Sequence, residues 1–380
     1  MTNGPSARQM RALARLAVAC ATWLVLLLPT LLAARNLGAP ARPDELARLA
    51  RAAGPDTSGL ETALARAYFA RAGGHASLPD AAEARQGFVV RARLLQLATL
   101  LATTLALHAA VVLARGRLHA LLACAAFALA PAVATDGHVL RPEGPATAMS
   151  AFACLLLVGV AAPARGTARR SRWLLPPQSL RWALAGCAAL AIGLTVALLP
   201  TQGAVLVAPG AVLVVAAAQM ALRTARLVRR AGWLRLPVRA MNQRLLPWTC
   251  LSLGAPAASL AMLARSLRGP ADAVAASVGD GDLAPAGAVG VALVAVGALG
   301  ALVAIVQTGG ALRRRGRISG ALVLFAAVAI ACAARVPVAS ERDGLSLAPA
   351  VAVLVAEGAY ALVALGWRAL GARARSFTSP

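Results

Sequence analysis

Apolar runs long enough to cross a lipid bilayer follow one another along most of this chain, and that succession restricts it to a helical membrane fold. A crossing helix needs about 20 apolar residues, because it rises ~1.5 Å per residue through a hydrocarbon core of roughly 30 Å. Ten stretches qualify: Leu13 to Ala34, Leu94 to Ala114, Leu118 to Ala134, Ala146 to Ala162, Trp182 to Pro200, Gly203 to Leu222, Leu246 to Leu263, Ala284 to Val306, Ile318 to Ala334 and Leu345 to Leu365. The third, fourth and ninth are short, a length that also suits re-entrant or bundle-buried segments. The expected fold is an all-α integral membrane protein, a polytopic bundle of about ten transmembrane helices forming one domain over residues 1–380. Within it, 1–34 hold the N-terminus and first span, 35–93 an outer loop, and 94–380 the remaining spans and a cytoplasmic tail.

Charge sets the expected orientation. The chain has no Lys, so its 38 Arg carry the whole positive-inside signal. With the N-terminus inside, the cytoplasmic segments are 1–15, 115–117, 164–181, 223–245, 308–317 and 366–380; they hold 24 Arg and none of the 14 acidic residues. Thirteen acids fall in the opposite loops, and Glu357 lies inside the last span. One miscounted helix would scramble this segregation, so an even number of spans is expected, in the plasma (inner) membrane with both termini cytoplasmic.

With 59% hydrophobic and 14% charged residues, the composition excludes a soluble multi-domain protein. The net charge of +24 does not indicate a nucleic-acid partner, because it is divided among six inner segments. It suits orientation and contact with anionic membrane lipids. Trp173, Trp182, Trp233, Trp248 and Trp367 fall at expected cytoplasmic ends of spans, where amphipathic rings anchor. The six Cys lie within apolar spans without zinc-binding spacing, so neither disulfides nor a metal cluster is expected. No cofactor is called for, and nothing indicates a divalent metal. No phosphate-binding Gly-rich loop or HExxH is present. The first apolar run follows a charged stretch but leads into further spans, as a retained signal anchor does.

The outer loop between Arg35 and Arg93 is too polar to insert and is patterned for amphipathic interfacial helices. Pro43, Asp44 and Glu45 open one, with Leu46, Leu49 and Ala53 on a shared face; Ser58 with Glu61 fits a capping box, and Asp80 with Glu83 precedes another start. The Gly/Ala-rich stretch from Ala284 to Gly300 suits close helix packing.

Three groups of ionisable residues are placed for chemistry. Asp44 and Glu45 could supply a general base to an acceptor hydroxyl at the membrane surface, or could simply cap the helix that begins at Pro43. Asp136, His138, Arg141 and Glu143 crowd the loop after the third span, as a binding site or as local ion pairs, and His138 with Asp136 is too sparse for a metal. Glu341, Arg342 and Asp343 precede the last span as a solvated loop or a ligand contact. Outer arginines depart from the orientation rule, which makes Arg91, Arg93, Arg141, Arg335 and Arg342 candidates to grip a phosphate with a planar fork. Glu357 snorkels, faces a wet cavity or pairs within the bundle. His108 reads as a packed core residue.

In order and spacing these pieces resemble the GT-C membrane glycosyltransferases, in the branch of the protein O-mannosyltransferases and lipid A aminoarabinose transferases. They are Pro43-Asp44-Glu45-Leu46, then Arg93-Leu94-Leu95, then Ala130-Pro131 followed by His138-Val139-Leu140-Arg141-Pro142-Glu143, and finally Ser340-Glu341-Arg342-Asp343 with Ala348-Pro349-Ala350. The resemblance implies inverting transfer of a sugar from a polyprenyl-phosphate donor to a hydroxyl of an unknown glycan, lipid or protein acceptor. It implies Asp44 as the base with Glu45 beside it, and Glu143 or Asp136 as a second acid positioning the acceptor. Arg93, Arg141 and Arg342 would stabilise the departing phosphate. The other class open to such a chain is a non-enzymatic membrane protein: an inactive relative, a scaffold or a transporter.

Overall fold

The computed structural model describes residues 7–43, 45–47, 49, 82–139, 143–161, parts of 184–194, 229, parts of 295–306, and 344–376. The described residues are helical, joined by turns. Their principal helices are α1 (Ala7–Ala34), α2 (Ala82–Ala114), α3 (Arg117–Leu129), α4 (Pro131–Asp136), α5 (Glu143–Ala161) and α6 (Gly344–Ser376). Three contain segments long and apolar enough to cross a membrane: Leu16–Ala34, Ala84–Ala114 and Ala348–Trp367. The expected spans at Gly203 to Leu222, Leu246 to Leu263 and Ile318 to Ala334 lie outside the described residues.

In hydrocarbon a hydroxyl donor needs an internal partner, and backbone carbonyls one turn back supply it for three of the threonines. The Thr22 hydroxyl donates to the Val18 carbonyl, while Thr103 and Thr104 donate to the carbonyls of Thr99 and Leu100. Those three hydroxyls therefore enter the bundle satisfied, whereas the buried Thr30 hydroxyl of α1 has no partner among the described residues. Apolar side chains face outward in turn: Leu16, Trp23, Leu24 and Leu31 of α1 and Leu362, Val363 and Leu365 of α6 are exposed, as expected of surfaces solvated by lipid.

The second expected span, Leu94 to Ala114, is correct at its C-terminal end but understated at its N-terminal end. Helix α2 begins at Ala82, so at 33 residues it is about 50 Å long. Its length exceeds a hydrocarbon core of roughly 30 Å, and its N-terminal part, residues 82–93, carries Arg85, Arg91 and Arg93. At the far end Gly116 adopts φ 109°, a left-handed conformation that avoids strain only without a Cβ, and its N–H donates to the Val111 carbonyl. The chain therefore reverses within two residues into α3.

The third expected span, Leu118 to Ala134, is interrupted. Proline disfavours helical geometry in the residue before it, and Ala130 takes ψ 124° ahead of Pro131. α3 consequently ends after 13 residues, about 20 Å, and the path continues in the single short helix α4. The fourth expected span, Ala146 to Ala162, falls on α5, a shorter apolar helix, and the tenth, Leu345 to Leu365, falls within α6, which runs on to Ser376.

α2 packs along α5, α3 against α6, and α1 against both α2 and α3. The core is dominated by Ala, Leu and Val, including Ala33, Leu97, Val111, Ala123, Phe127 and Val158. Small side chains let helix backbones approach where water supplies no driving force. The approach is closest at two glycines: a Cβ on Gly300 would collide with the Leu354 carbonyl, and one on Gly358 with the Val296 carbonyl. The helical segment 295–303 thus crosses α6 backbone to backbone, as the Gly/Ala pattern of that stretch implies.

Candidate membrane-face site

The turn after α1 is tied down by a single guanidinium. Arg93, on the N-terminal part of α2, donates Nε–H to Glu45 Oε1 at 3.0 Å and Nη2–H to Glu45 Oε2 at 2.6 Å. Its remaining donors reach the carbonyls of Leu37 at 2.9 Å, Ala39 at 2.7 Å and Pro40 at 3.2 Å. An arginine has five N–H groups, and all five are engaged. Both side chains of the Arg93–Glu45 pair are 0% exposed. Gln86, two turns earlier on α2, adds donations to the carbonyls of Gly38 and Ala39.

Glu45 also closes a helix start. Its Oε2 accepts from the Arg42 backbone N–H at 3.0 Å, and the Leu46 N–H donates to the Arg42 carbonyl. Arg42 is therefore the N-cap, Pro43 occupies the first helical position that proline favours, and Glu45 makes the reciprocal arm of a capping box. Leu49, one turn on, is fully buried. The capping role weighed for this acidic pair is thus realised by Glu45. Asp44 lies outside the described residues.

A second contact joins this loop to the end of α4. Arg42 Nη1 donates to Asp136 Oδ1 at 3.0 Å, with side chains 40% and 20% exposed, and Asn36 Nδ2 donates to the Ala134 carbonyl. Gly137 follows, where a Cβ would strike the Val133 carbonyl and meet Ala33 and Leu100. This close approach brings His138 to the cluster. His138 is buried, and its Nδ1 has no hydrogen-bond partner among the described residues. Burial holds its pKa below the ordinary imidazole value, Arg93 and Arg42 lower it further, and Glu45 and Asp136 oppose them.

Five ionisable residues from two loops and α2 therefore converge: Arg42, Glu45, Arg93, Asp136 and His138. Of the expected site residues, Glu45, Arg93 and Asp136 are among them. Glu143 opens α5, but its side chain, together with Arg141 and Arg342, lies outside the described residues. Arg91 is exposed on α2 and donates to the Gly87 carbonyl. Arg93 was expected to bind phosphate, yet its donors are committed and it is sealed from solvent. The sequence reading passed over Arg42, for which the signal was its position directly before Pro43 at a helix start.

A second cluster occupies the other end of the bundle. Arg115 Nε lies 2.9 Å from Glu357 Oε1 and its Nη2 donates to Oε2 at 3.2 Å, while His119 Nε2 is 3.7 Å from Oε1. The His119 ring rests on Tyr360 at 4.0 Å between centroids. Of the alternatives for Glu357, pairing within the bundle is the one adopted. Along α2, Arg93 and Arg115 are about 33 Å apart at ~1.5 Å per residue, close to one hydrocarbon thickness. The polar clusters thus mark the two ends of a membrane-sized apolar layer.

These features define a membrane-embedded α-helical protein with a buried ionic cluster at one end and a second cluster a bilayer core away. No protein-family model, no curated protein and no solved structure matches the chain.

Proposed function

We propose that the chain is a GT-C-type glycosyltransferase of the plasma membrane, with about ten spans and both termini cytoplasmic. It moves a sugar from a polyprenyl-phosphate donor to an acceptor hydroxyl at the outer face. Asp44 accepts the proton of that hydroxyl. The acceptor oxygen then bonds to the anomeric carbon from the side opposite the lipid phosphate, and the carbon–oxygen bond to phosphate breaks with its electron pair leaving on the phosphate. Glu143, or in its place Asp136, positions the acceptor, and Arg141 and Arg342 offset the charge on the leaving group. Arg93 acts here through Glu45, by holding the segment that carries Asp44.

One observation carries the reading: the acidic segment of the first loop and the acid at the end of α4 meet at one end of the bundle, joined through Arg42. A lipid-borne donor presents its reactive carbon at that depth. The test uses the full chain in nanodiscs with a panel of polyprenyl-phosphate sugars and cell-envelope extract as acceptor. Sugar-dependent release of polyprenyl phosphate is expected, and it should be lost in Asp44→Asn at unchanged protein yield. Turnover that survives this substitution removes Asp44 from the chemistry.

The complete sequestration of Glu45 and Arg93 favours a second reading, in which the cluster serves only architecture and the protein is a non-enzymatic scaffold, transporter or inactive relative. Absence of turnover with every donor in the wild type selects that reading.

A further inference from the structure

The two arginines of the cluster differ in a way that assigns them different work. Arg93 has five donors, five acceptors and no exposed surface. Arg42 has the same five donors, yet among the described residues its guanidinium makes one hydrogen bond, to Asp136, and its side chain is 40% exposed. An arginine with free N–H groups presents a planar fork that fits two phosphate oxygens.

The surroundings indicate which phosphate. Arg42 lies eight residues beyond the end of α1, and the last turns of that helix display Leu24, Leu27 and Leu31 exposed in succession toward its C-terminal end. An apolar track ending at a half-exposed cation matches a molecule with a long hydrocarbon tail and a phosphate head. His138 beside it is buried, and its Nδ1 has no hydrogen-bond partner among the described residues.

We infer that Arg42 is the residue that grips the phosphate of a membrane lipid phosphomonoester, and that Asp136 occupies its fork as a competing anion until the lipid arrives. This deepens the function proposed above and rests on its placement of the cluster at the lipid headgroups. Binding of the phosphate transfers Arg42 from a carboxylate to a group with more acceptor oxygens and greater charge. Asp136 thereby sets the threshold for binding and keeps the fork from attracting ordinary anions.

Opposite signs test the assignment. The full-length protein in detergent is titrated with polyprenyl phosphate, with inorganic phosphate run in parallel, and binding is read by native mass spectrometry without any sugar transfer. Arg42→Gln is expected to weaken polyprenyl phosphate binding by about tenfold or more, the worth of a lost charge-assisted pair. Asp136→Asn is expected to tighten it, because the competing carboxylate is gone while the amide keeps the shape. A purely structural bridge predicts that both substitutions weaken binding equally, and that result overturns the inference. Arg42→Lys, which keeps the charge and the reach to Asp136 but loses the fork, controls for folding and should bind more weakly than wild type. Equal binding of inorganic phosphate overturns the lipid assignment. Wild-type protein that binds no polyprenyl phosphate overturns it together with the glycosyltransferase reading. Unaltered binding in Arg42→Gln overturns this inference alone.

Discussion

Arg93 and Glu45, separated by 48 residues, meet as a two-pronged ion pair with both side chains fully buried, and the same guanidinium fastens three carbonyls of the loop within four residues, Leu37 to Pro40. A buried pair of this kind is weak evidence of net stabilisation, because desolvation opposes the Coulomb term. Removing one partner is costly because it strands the other.

Arg93→Met is therefore expected to lower stability by about 3–5 kcal/mol, since Glu45 and the carbonyls of Leu37, Ala39 and Pro40 all lose their donor. Glu45→Gln should cost less, because the amide oxygen still accepts from the guanidinium and the backbone carbonyls remain bonded. Denaturant titration in detergent micelles, read by intrinsic fluorescence, orders the two variants. The reverse order would contradict the hub role of Arg93.

The crossing between 295–303 and α6 separates glycines that need to be glycines from one that does not. Gly300→Ala places a methyl group on the Leu354 carbonyl, and Gly358→Ala places one on the Val296 carbonyl, so each should cost about 1–3 kcal/mol through displaced backbone. Gly297→Ala brings its methyl group to 3.6 Å from Val355 Cγ2, an ordinary contact, and should leave the melting temperature unchanged. Thermal unfolding of the three single variants checks the contrast.

His138 makes stability depend on pH in a predictable direction. Its folded pKa lies below the ordinary value of about 6.5, so the unfolded chain takes up the proton first and stability rises with pH across that interval. The contribution is complete above about pH 6.5 and disappears as pH falls through the folded value. Melting temperatures from pH 8 to pH 5 should therefore fall more steeply for wild type than for His138→Asn. Parallel curves would show that His138 does not titrate with unfolding.

Much of the architecture was legible in the residues because bilayer thickness translates directly into the length of an apolar run. The apolar parts of α1 and α6 follow from that alone, although both helices extend past them into Arg-bearing turns. The early start of α2 did not, because its N-terminal turns carry Arg85, Arg91 and Arg93 and fail a hydropathy test that treats charge as solvated. The break between α3 and α4 was signalled by Pro131, although hydropathy runs through it.

For the site, the sequence by itself determined that acids and arginines concentrate in the loops flanking apolar spans, since charge is expelled from hydrocarbon. It also determined that Pro43 and Glu45 begin a helix, because their roles at its start are local. Only the tertiary structure decided which partners those charges take. Glu45 turned to Arg93, Asp136 to Arg42 and Glu357 to Arg115, each across a gap that no local pattern encodes. The physical reason is that an ion pair is specified by which helices pack side by side, and packing depends on small-residue contacts distributed over the whole bundle.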